Sequence, residues 1–468
     1  MDPRGRGGRS GALSLLRHVA LYFVAGAALL AAASAQSSSA PLTLLDAVRI
    51  ALEKNPLRKA ALADTRAASA DIKTAQSFLL PHLAFSETAM RGDDPVYVFG
   101  SRLRQQRFTQ ADFALNRLNS PLPFGNFSTR FGGTWNLFDS FVSWHGLTRA
   151  RLMDEAAKHE LGRTEQEVVF QVTRSYYEAL LAARQLEVAE HASKTAQAIV
   201  ERSQGRFESG LVVESDLLTA KVRLASRQQE LIRARNNQAL ALAQLNAAMG
   251  LPIESLFDLT QPLSEPRLPP LVLHDLETLA LTSRPDLKRI TAEQGAQRET
   301  VSMAKSAFGP QLNAFASWEM DNPTLLAGGG GNNWVGGMEL KINLFQGGAR
   351  RAELSRQRAL HEKATAMKQA AIDNVRLEVR RAYYDWDASR QEVEVAQNSI
   401  VQSDDSLRIN QDRYETGLIT ITDLLSAEEA AHRSQTDYWD AVCRLRTSYA
   451  GLELATGTLS SQSPAVMP

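Results

Sequence analysis

The stretch RYETGLITITDLL, Arg413 to Leu425, recurs 207 residues earlier as RFESGLVVESDLL, Arg206 to Leu218, with seven of thirteen positions identical and four more exchanged for near equivalents. The same offset relates WNLF at Trp135 to Phe138 with INLF at Ile342 to Phe345, RSYYEAL from Arg174 with RAYYDWD from Arg381, and Gly250 with Gly457. Upstream the offset becomes 229, pairing ALEKNP at Ala51 to Pro56 with ALTSRP at Ala280 to Pro285 and LLPHL around Pro81 with FGPQL around Pro310. A tandem duplication follows, in which the first copy carries 22 additional residues between Pro81 and Asn136. That interval contains DDP, RLRQQR and SPLPFG and reads as an enlarged loop.

Each copy has one order of elements. A short helix ends near Asn55-Pro56 or Arg284-Pro285, an Ala-rich helical run continues to Pro81 or Pro310, and two strand-like segments follow. A long helical run, the quoted corner and a second long run ending at Gly250 or Gly457 complete it. The expected boundaries are 36–250 for the first repeat, with a strand pair at about 80–138 and a helical hairpin at about 141–249. The second repeat is 274–457, with a strand pair at about 310–345 and a hairpin at about 348–456. Residues 251–273 read as a Pro-rich extended connector and 458–468 as a disordered tail.

From Phe141 to Gln204 there is no proline, so a helix of roughly 60 residues and about 90 Å is expected. Val168, Val172, Tyr176, Ala179, Ala183, Leu186 and Ala189 step by three and four, the coiled-coil interval, and Val375, Val379, Tyr383, Trp386 and Val393 repeat the stripe. Each such helix starts at a strand end, so both corners are expected at the same remote end of the molecule. Gly210 and Gly417 suit the left-handed residue that stops a helix, and Asp216 and Asp423 suit acceptors for the free N–H groups of the next. Phe207, Glu214 and Tyr414 lie in or beside the same corners.

The strands alternate. In WVGGMELKINL, Trp334, Gly336, Met338, Leu340, Ile342 and Leu344 share one face, with Val335, Gly337, Glu339, Lys341 and Asn343 on the other. Trp135 and Leu137 lie on one face of FGGTWNL, and Leu312, Trp318 and Met320 on one face of QLNAFASWEM. PHLAFSETAM is the weakest pattern, because Glu87 sits in line with Leu83 and Phe85. Four strands of bilayer-crossing length cannot enclose a lumen, so a membrane-spanning reading requires several protomers to share one barrel.

Residues 1–35 read as a secretory signal: Arg4, Arg6, Arg9 and Arg17 precede the apolar run Val19 to Ala33, and cleavage is expected after Ala35. Beyond it no stretch approaches 18 consecutive apolar residues, which excludes a hydropathy-defined transmembrane helix and leaves a β-barrel open. Formal charge is zero, and no basic run interleaved with aromatics offers a footprint for nucleic acid. Cys443 is the sole cysteine, the eight histidines have no ligand spacing, and GGGG at Gly328 to Gly331 lacks the Lys-Ser or Lys-Thr of a phosphate loop. No enzyme, metal or cofactor is expected.

These features together resemble the outer-membrane efflux proteins of the TolC type: the export signal, two repeats, the NP-bounded opening helix, the strand endings NLFD and NLFQGG, and the paired corners, over about residues 40–457. The resemblance implies a mainly α fold with a membrane β part, long α-helical hairpins forming a trimeric α-barrel continuous with a twelve-stranded β-barrel to which each protomer gives four strands. It implies a homotrimer in outer-membrane lipid serving as the passive exit duct of a tripartite pump or type I secretion system. Its partners are then a periplasmic adaptor and an inner-membrane transporter. The implied trimer brings six corners together, so that Phe207, Glu214, Asp216, Tyr414 and Asp423 stand near the narrowest point of the duct, where carboxylates attract cations; Asp216 and Tyr414 match positions of the family's tip lock, whereas Ile419 and Ser426 replace a basic and an acidic residue of it. The competing reading is a soluble periplasmic coiled-coil adaptor or scaffold, which long hairpins alone suit equally well.

Overall fold

The computed structural model describes residues 40–265, 271–325 and 331–467. The signal expected at 1–35 and most of the GGGG stretch lie outside the described residues. In chain order the first copy contains β1 (Ala40–Leu42), α1 (Leu44–Lys54), α2 (Pro56–Ser77), β2 (His82–Gly92), α3 (Pro95–Arg104), a 3-10 turn (Gln110–Phe113), α4 (Leu115–Asn119), β3 (Phe124–Phe138), α5 (Val142–Glu208) and α6 (Glu214–Met249). After β4 (Phe257–Leu259), the second copy contains α7 (Leu273–Ser283), α8 (Pro285–Ser306), β5 (Gln311–Asn322), β6 (Gly331–Lys341), α9 (Ala349–Glu415) and α10 (Ile421–Thr456).

The duplication holds to the residue. α5 and α9 have 67 residues each and α6 and α10 have 36 each, so the long helices run about 100 Å at 1.5 Å per residue. α5 packs along α6, and α9 along α10, while α2 and α8 both lie against α5. At the foot of each copy a C-terminal glycine with positive φ, Gly250 or Gly457, abuts the backbone of Asn55 or Arg284, where an added Cβ would come within 2.9 Å or 2.8 Å of a Cα. Different side chains then make one bond: Asn55 Nδ2 donates to Ala248 O, and Arg284 Nη1 to Ala455 O, its counterpart 207 residues on.

The largest core lies midway along the helices. Val168, Val172, Tyr176 and Ala179 of α5 pack there with α1 and with Val442, Leu445 and Leu452 of α10, and the Tyr176 hydroxyl donates to Leu42 O at 2.9 Å. One expectation gains a contact here and another fails. The connector is tied to the first copy, because β4 pairs in parallel with β1 and Leu263 is buried in the core. The tail is packed rather than disordered: Leu459, Ala465 and Val466 are buried, and Ala465 N donates to a Glu453 carboxylate oxygen. Burial of those three apolar side chains, with the bonds of Thr458, Leu459 and Ala465 amides to Glu453, offsets part of the cost of ordering this Ser-rich segment.

The four long strands form one antiparallel sheet in the order β2-β3-β5-β6. β3 starts at Phe124, well before the FGGTWNL segment, and its outer half mixes Phe124 with Asn126, Ser128 and Arg130, a pattern without apolar alternation. β6 ends at Lys341 because its partner β5 begins at Gln311, directly opposite, and leaves nothing for the following residues to pair with. Ile342 and Leu344 therefore lie beyond the strand, Leu344 being 93% exposed. The additional residues of the first copy are helical, as α3, the 3-10 turn and α4, where the sequence pointed to a loop.

Candidate functional site

The two corners close by one mechanism. At the end of α5 the amide of Gly210 donates to Phe207 O at 2.9 Å and that of Leu211 to Arg206 O at 2.8 Å; at the end of α9 Gly417 donates to Tyr414 O at 3.1 Å and Leu418 to Arg413 O at 2.9 Å. This pair of bonds needs a left-handed residue, which the two glycines supply at φ 70° and 76°. The corners meet. Arg206 donates to Tyr414 O at 2.8 Å with its guanidinium 5.1 Å from the Tyr414 ring, and Arg202 pairs with Glu415 at 2.8 Å. Tyr414 is buried and clusters with Ile199, Ala220, Ile421, Leu424 and Leu425.

The next helices begin differently. Thr420 caps α10, its hydroxyl accepting from Asp423 N while the Asp423 carboxylate accepts from Thr420 N and Oγ1 at 3.0 and 2.7 Å. Those bonds from the Thr420 side chain and backbone hold the Asp423 carboxyl below its ordinary range. At the matching position of α6 stands Val213, whose side chain has no oxygen, so the Asp216 amide bonds to the Val213 backbone carbonyl at 3.1 Å instead. The expectation that Asp216 caps α6 is thus not met, for a capping box needs a hydroxyl or carboxylate at the cap as well as the acid three residues on. Asp423 is committed to a cap; Glu214 is exposed and Asp216 half-buried. Phe207 is exposed beside Arg206.

A second group of charged residues joins the hairpins behind the tip. Arg227 of α6, 1% exposed, donates to both carboxylate oxygens of Glu428 on α10 at 3.1 Å, to Glu429 at 2.9 Å and to Glu230 at 2.7 Å. Arg223 bonds to Glu428 and Glu429, and Arg227 Nη1 points to His432 Nδ1 at 3.5 Å. Burial works to lower the Arg227 pKa, but the bonds to Glu428 and Glu230 outweigh it and the net shift is upward. Burial, then the Arg227 charge, lowers that of His432. Sequence reading missed this cluster, because two arginines and three glutamates on polar-looking helices carry no signal of a buried contact between helices 200 residues apart.

At the opposite end the sheet register sets the faces. Trp318 stands opposite both Trp334 and Phe131, Ala314 opposite Met338 and Trp135, and Leu312 opposite Leu340, so the predicted apolar residues of three strands share one face. That face has no cover: Trp334 is 82% exposed, Met338 72% and Leu340 66%. A register shift between Asn136 and Phe138 brings Phe138, in place of Leu137, opposite Leu312. The other face carries Ser128, Arg130, Glu319 and Asp321. Among the described residues no helix is long and apolar enough to cross a membrane.

Comparison with known proteins agrees with this architecture. Over 451 residues the chain is 26% identical to the alkaline protease secretion protein AprF of Pseudomonas aeruginosa, covering 91% of this chain and 89% of that one. Outer membrane protein TolC of Escherichia coli is 23% identical over 433 residues, covering 87% and 80%. The crystal structure of the outer membrane protein VceC from Vibrio cholerae superposes with a TM-score of 0.74 at 19% identity, over 88% of this chain and 96% of that one. The family model described as outer membrane efflux protein matches residues 47–251 and 276–458, one segment for each repeat. With both halves of the duplication matched and an uncovered apolar sheet at one end of the helices, the chain belongs to the outer membrane efflux protein family.

Proposed function

We propose that three copies of the chain assemble into a passive exit duct, in which four strands from each close a twelve-stranded barrel in outer-membrane lipid and the long helices enclose a periplasmic bore. The carrying observation is the sheet: one face is apolar and uncovered, and β2 and β6 have only one strand partner each. Open edges are not tolerated in hydrocarbon, and four strands are too few to close on themselves. Lateral apolar residues on the two flanking helices, Val222, Ile232 and Leu240 of α6 and Leu377, Val395 and Val401 of α9, supply a further surface for neighbouring copies. The soluble scaffold reading has no use for either feature.

The tip is the gate in this reading. Phe207, Gly210, Glu214, Asp216, Tyr414, Gly417 and Asp423 form its lining and corners, and a periplasmic adaptor fed by an inner-membrane transporter docks there. Trp135, Leu312, Trp318, Trp334, Met338 and Leu340 contact lipid, while Leu137 lies at the end of β3 and Ile342 and Leu344 lie beyond the end of β6. The duct performs no chemistry, and the energy comes from the transporter. Fractionation of cells followed by gel electrophoresis with and without heating tests the assembly: a band of three chain masses in the outer membrane that collapses on boiling is expected. Recovery of a monomer in the soluble periplasmic fraction would refute it.

A further inference from the structure

The connection between Gly92 and Phe124 in the first copy is 22 residues longer than its counterpart between Asp321 and Gly331, and it is a built unit. Phe99, Phe108 and Phe113 stack edge to face at 4.8 and 5.1 Å, and Arg102 pairs with Asp112 at 2.8 Å. Asp94 caps α3 through Tyr97 N, and the Tyr97 hydroxyl returns to Met90 O at 2.8 Å. The unit is anchored to one side of the sheet. Arg104 donates to Glu319 at 3.0 Å, and the same carboxylate accepts from Arg130 at 2.6 Å and Ser128 at 2.6 Å. Gln105, buried, donates to Gly125 O at 3.0 Å and Asn126 Oδ1 at 2.8 Å, and Asn126 donates onward to Asp321 at 2.5 Å. A Cβ at Gly331 would overlap the Arg104 carbonyl, so helix and strand touch backbone to backbone.

The strand side chains in these contacts lie on the polar face: Ser128 stands opposite Asp321 and Arg130 opposite Glu319, alternating with Phe131 and Trp318 on the apolar face. If the apolar face meets lipid, the polar face lines the bore, and α3 lies inside it, over a cleft of about 490 Å³ between Tyr97, Gly100 and Arg104 on the helix and Ser86, Ser128 and Arg130 on the strands. We infer that residues 93–123 form a second constriction, at the extracellular mouth, held in the bore by the Arg104–Glu319–Arg130 bonds and repeated three times around the axis. The inference rests on the barrel assembly proposed above. Its consequence is restricted entry of solutes from outside, independent of the state of the periplasmic tip.

A cysteine scan from outside the cell tests it. Thr134 is on the same strand face as Arg130, four residues nearer the periplasmic end, and Cys443, the native thiol, is buried with its pKa pushed up to about 12 by burial. Intact cells carrying Thr134→Cys are treated with a membrane-impermeant sulfonated maleimide, with the native connection, with residues 93–123 exchanged for the sequence of 322–330, and with Arg104→Ala. Labelling at least about ten-fold faster in the exchange, and several-fold faster in Arg104→Ala, is expected if α3 narrows the mouth. Equally fast labelling in all three overturns the constriction alone. No labelling in any of them overturns the barrel assembly as well. Arg104→Ala keeps the chain length, so it decides the matter if the exchange variant does not assemble.

Discussion

Arg227 and Glu428 are 1% and 3% exposed, and each is the other's main source of compensation for lost hydration. Truncating one partner of such a pair leaves a buried charge, which costs about 3–5 kcal/mol, whereas replacing both by apolar side chains of similar size is often neutral. Arg227→Met should therefore lower the midpoint of thermal unfolding of the tip, and Arg227→Met with Glu428→Leu should recover most of it. Differential scanning calorimetry of the purified protein, with both single variants and the double, reads the coupling; simple additivity would show that the pair is not an interacting unit. The cluster also has a pH sense. His432 has its pKa lowered by burial and by Arg227, so the neutral imidazole is the form the fold favours, and its contribution is full above the ordinary histidine range and lost as pH falls through it. Glu429, held low by Arg227 and Arg223 against the opposing effect of burial, keeps its contribution to lower pH. As pH falls below the ordinary histidine value of about 6.5 the tip should loosen, seen as faster amide hydrogen exchange in α10 near residue 432, and His432→Gln should abolish that step.

Among the elements, the clearest asymmetry of the duplication is at the helix starts. α9 follows Gly347 and Gly348, both at positive φ, while the equivalent residues before α5 are Ser140 and Phe141 at φ 58° and 72°. Non-glycine residues pay about 1–3 kcal/mol for such backbones. Ser140 offsets some of this by donating to Pro310 O at 2.7 Å, but Phe141 makes no comparable bond and is exposed, so Phe141→Gly should raise stability by roughly 1 kcal/mol, read as a higher unfolding midpoint. At the corners, Val213→Thr should complete the capping box that Thr420 and Asp423 already form, stabilising the first turn of α6 by about 1 kcal/mol and slowing amide exchange at Asp216 and Leu217. No change in exchange would mean that the corner's geometry forbids the cap. These comparisons also mark what the sequence carries. Helix lengths and corners were legible because two copies constrain one pattern. The outer half of β3 was not, since the face alternating with Asn126, Ser128 and Arg130 mixes Gly125 and Thr129 with Phe127 and Phe131 and so breaks the apolar alternation. α3 was hidden by the DDP and SPLPFG turn signals that bracket it, and the capping difference at Val213 by treating Asp216 apart from its cap residue.

For the whole molecule, the decisive quantity is which face of the sheet meets hydrocarbon. The pleat places Glu339 and Leu340 side by side in sequence and on opposite faces, which allows a test with a single kind of substitution. Leu340→Arg puts a guanidinium on the exposed apolar face near the helix-side end of β6, where the cost lies between the about 2–4 kcal/mol of the bilayer midplane and the about 0–1 kcal/mol of the interface and is taken three times in a trimer. Glu339→Arg puts the same group on the polar face, where water solvates it and the cost should be near zero. Assembled, heat-dissociable protein recovered from outer membranes should fall steeply for Leu340→Arg and stay close to the unaltered level for Glu339→Arg. Equal recovery of the two would mean that the sheet is not in lipid. The reverse order would mean that its faces are inverted, placing Arg104, Arg130 and Glu319 in hydrocarbon and removing the basis for a bore lined by them.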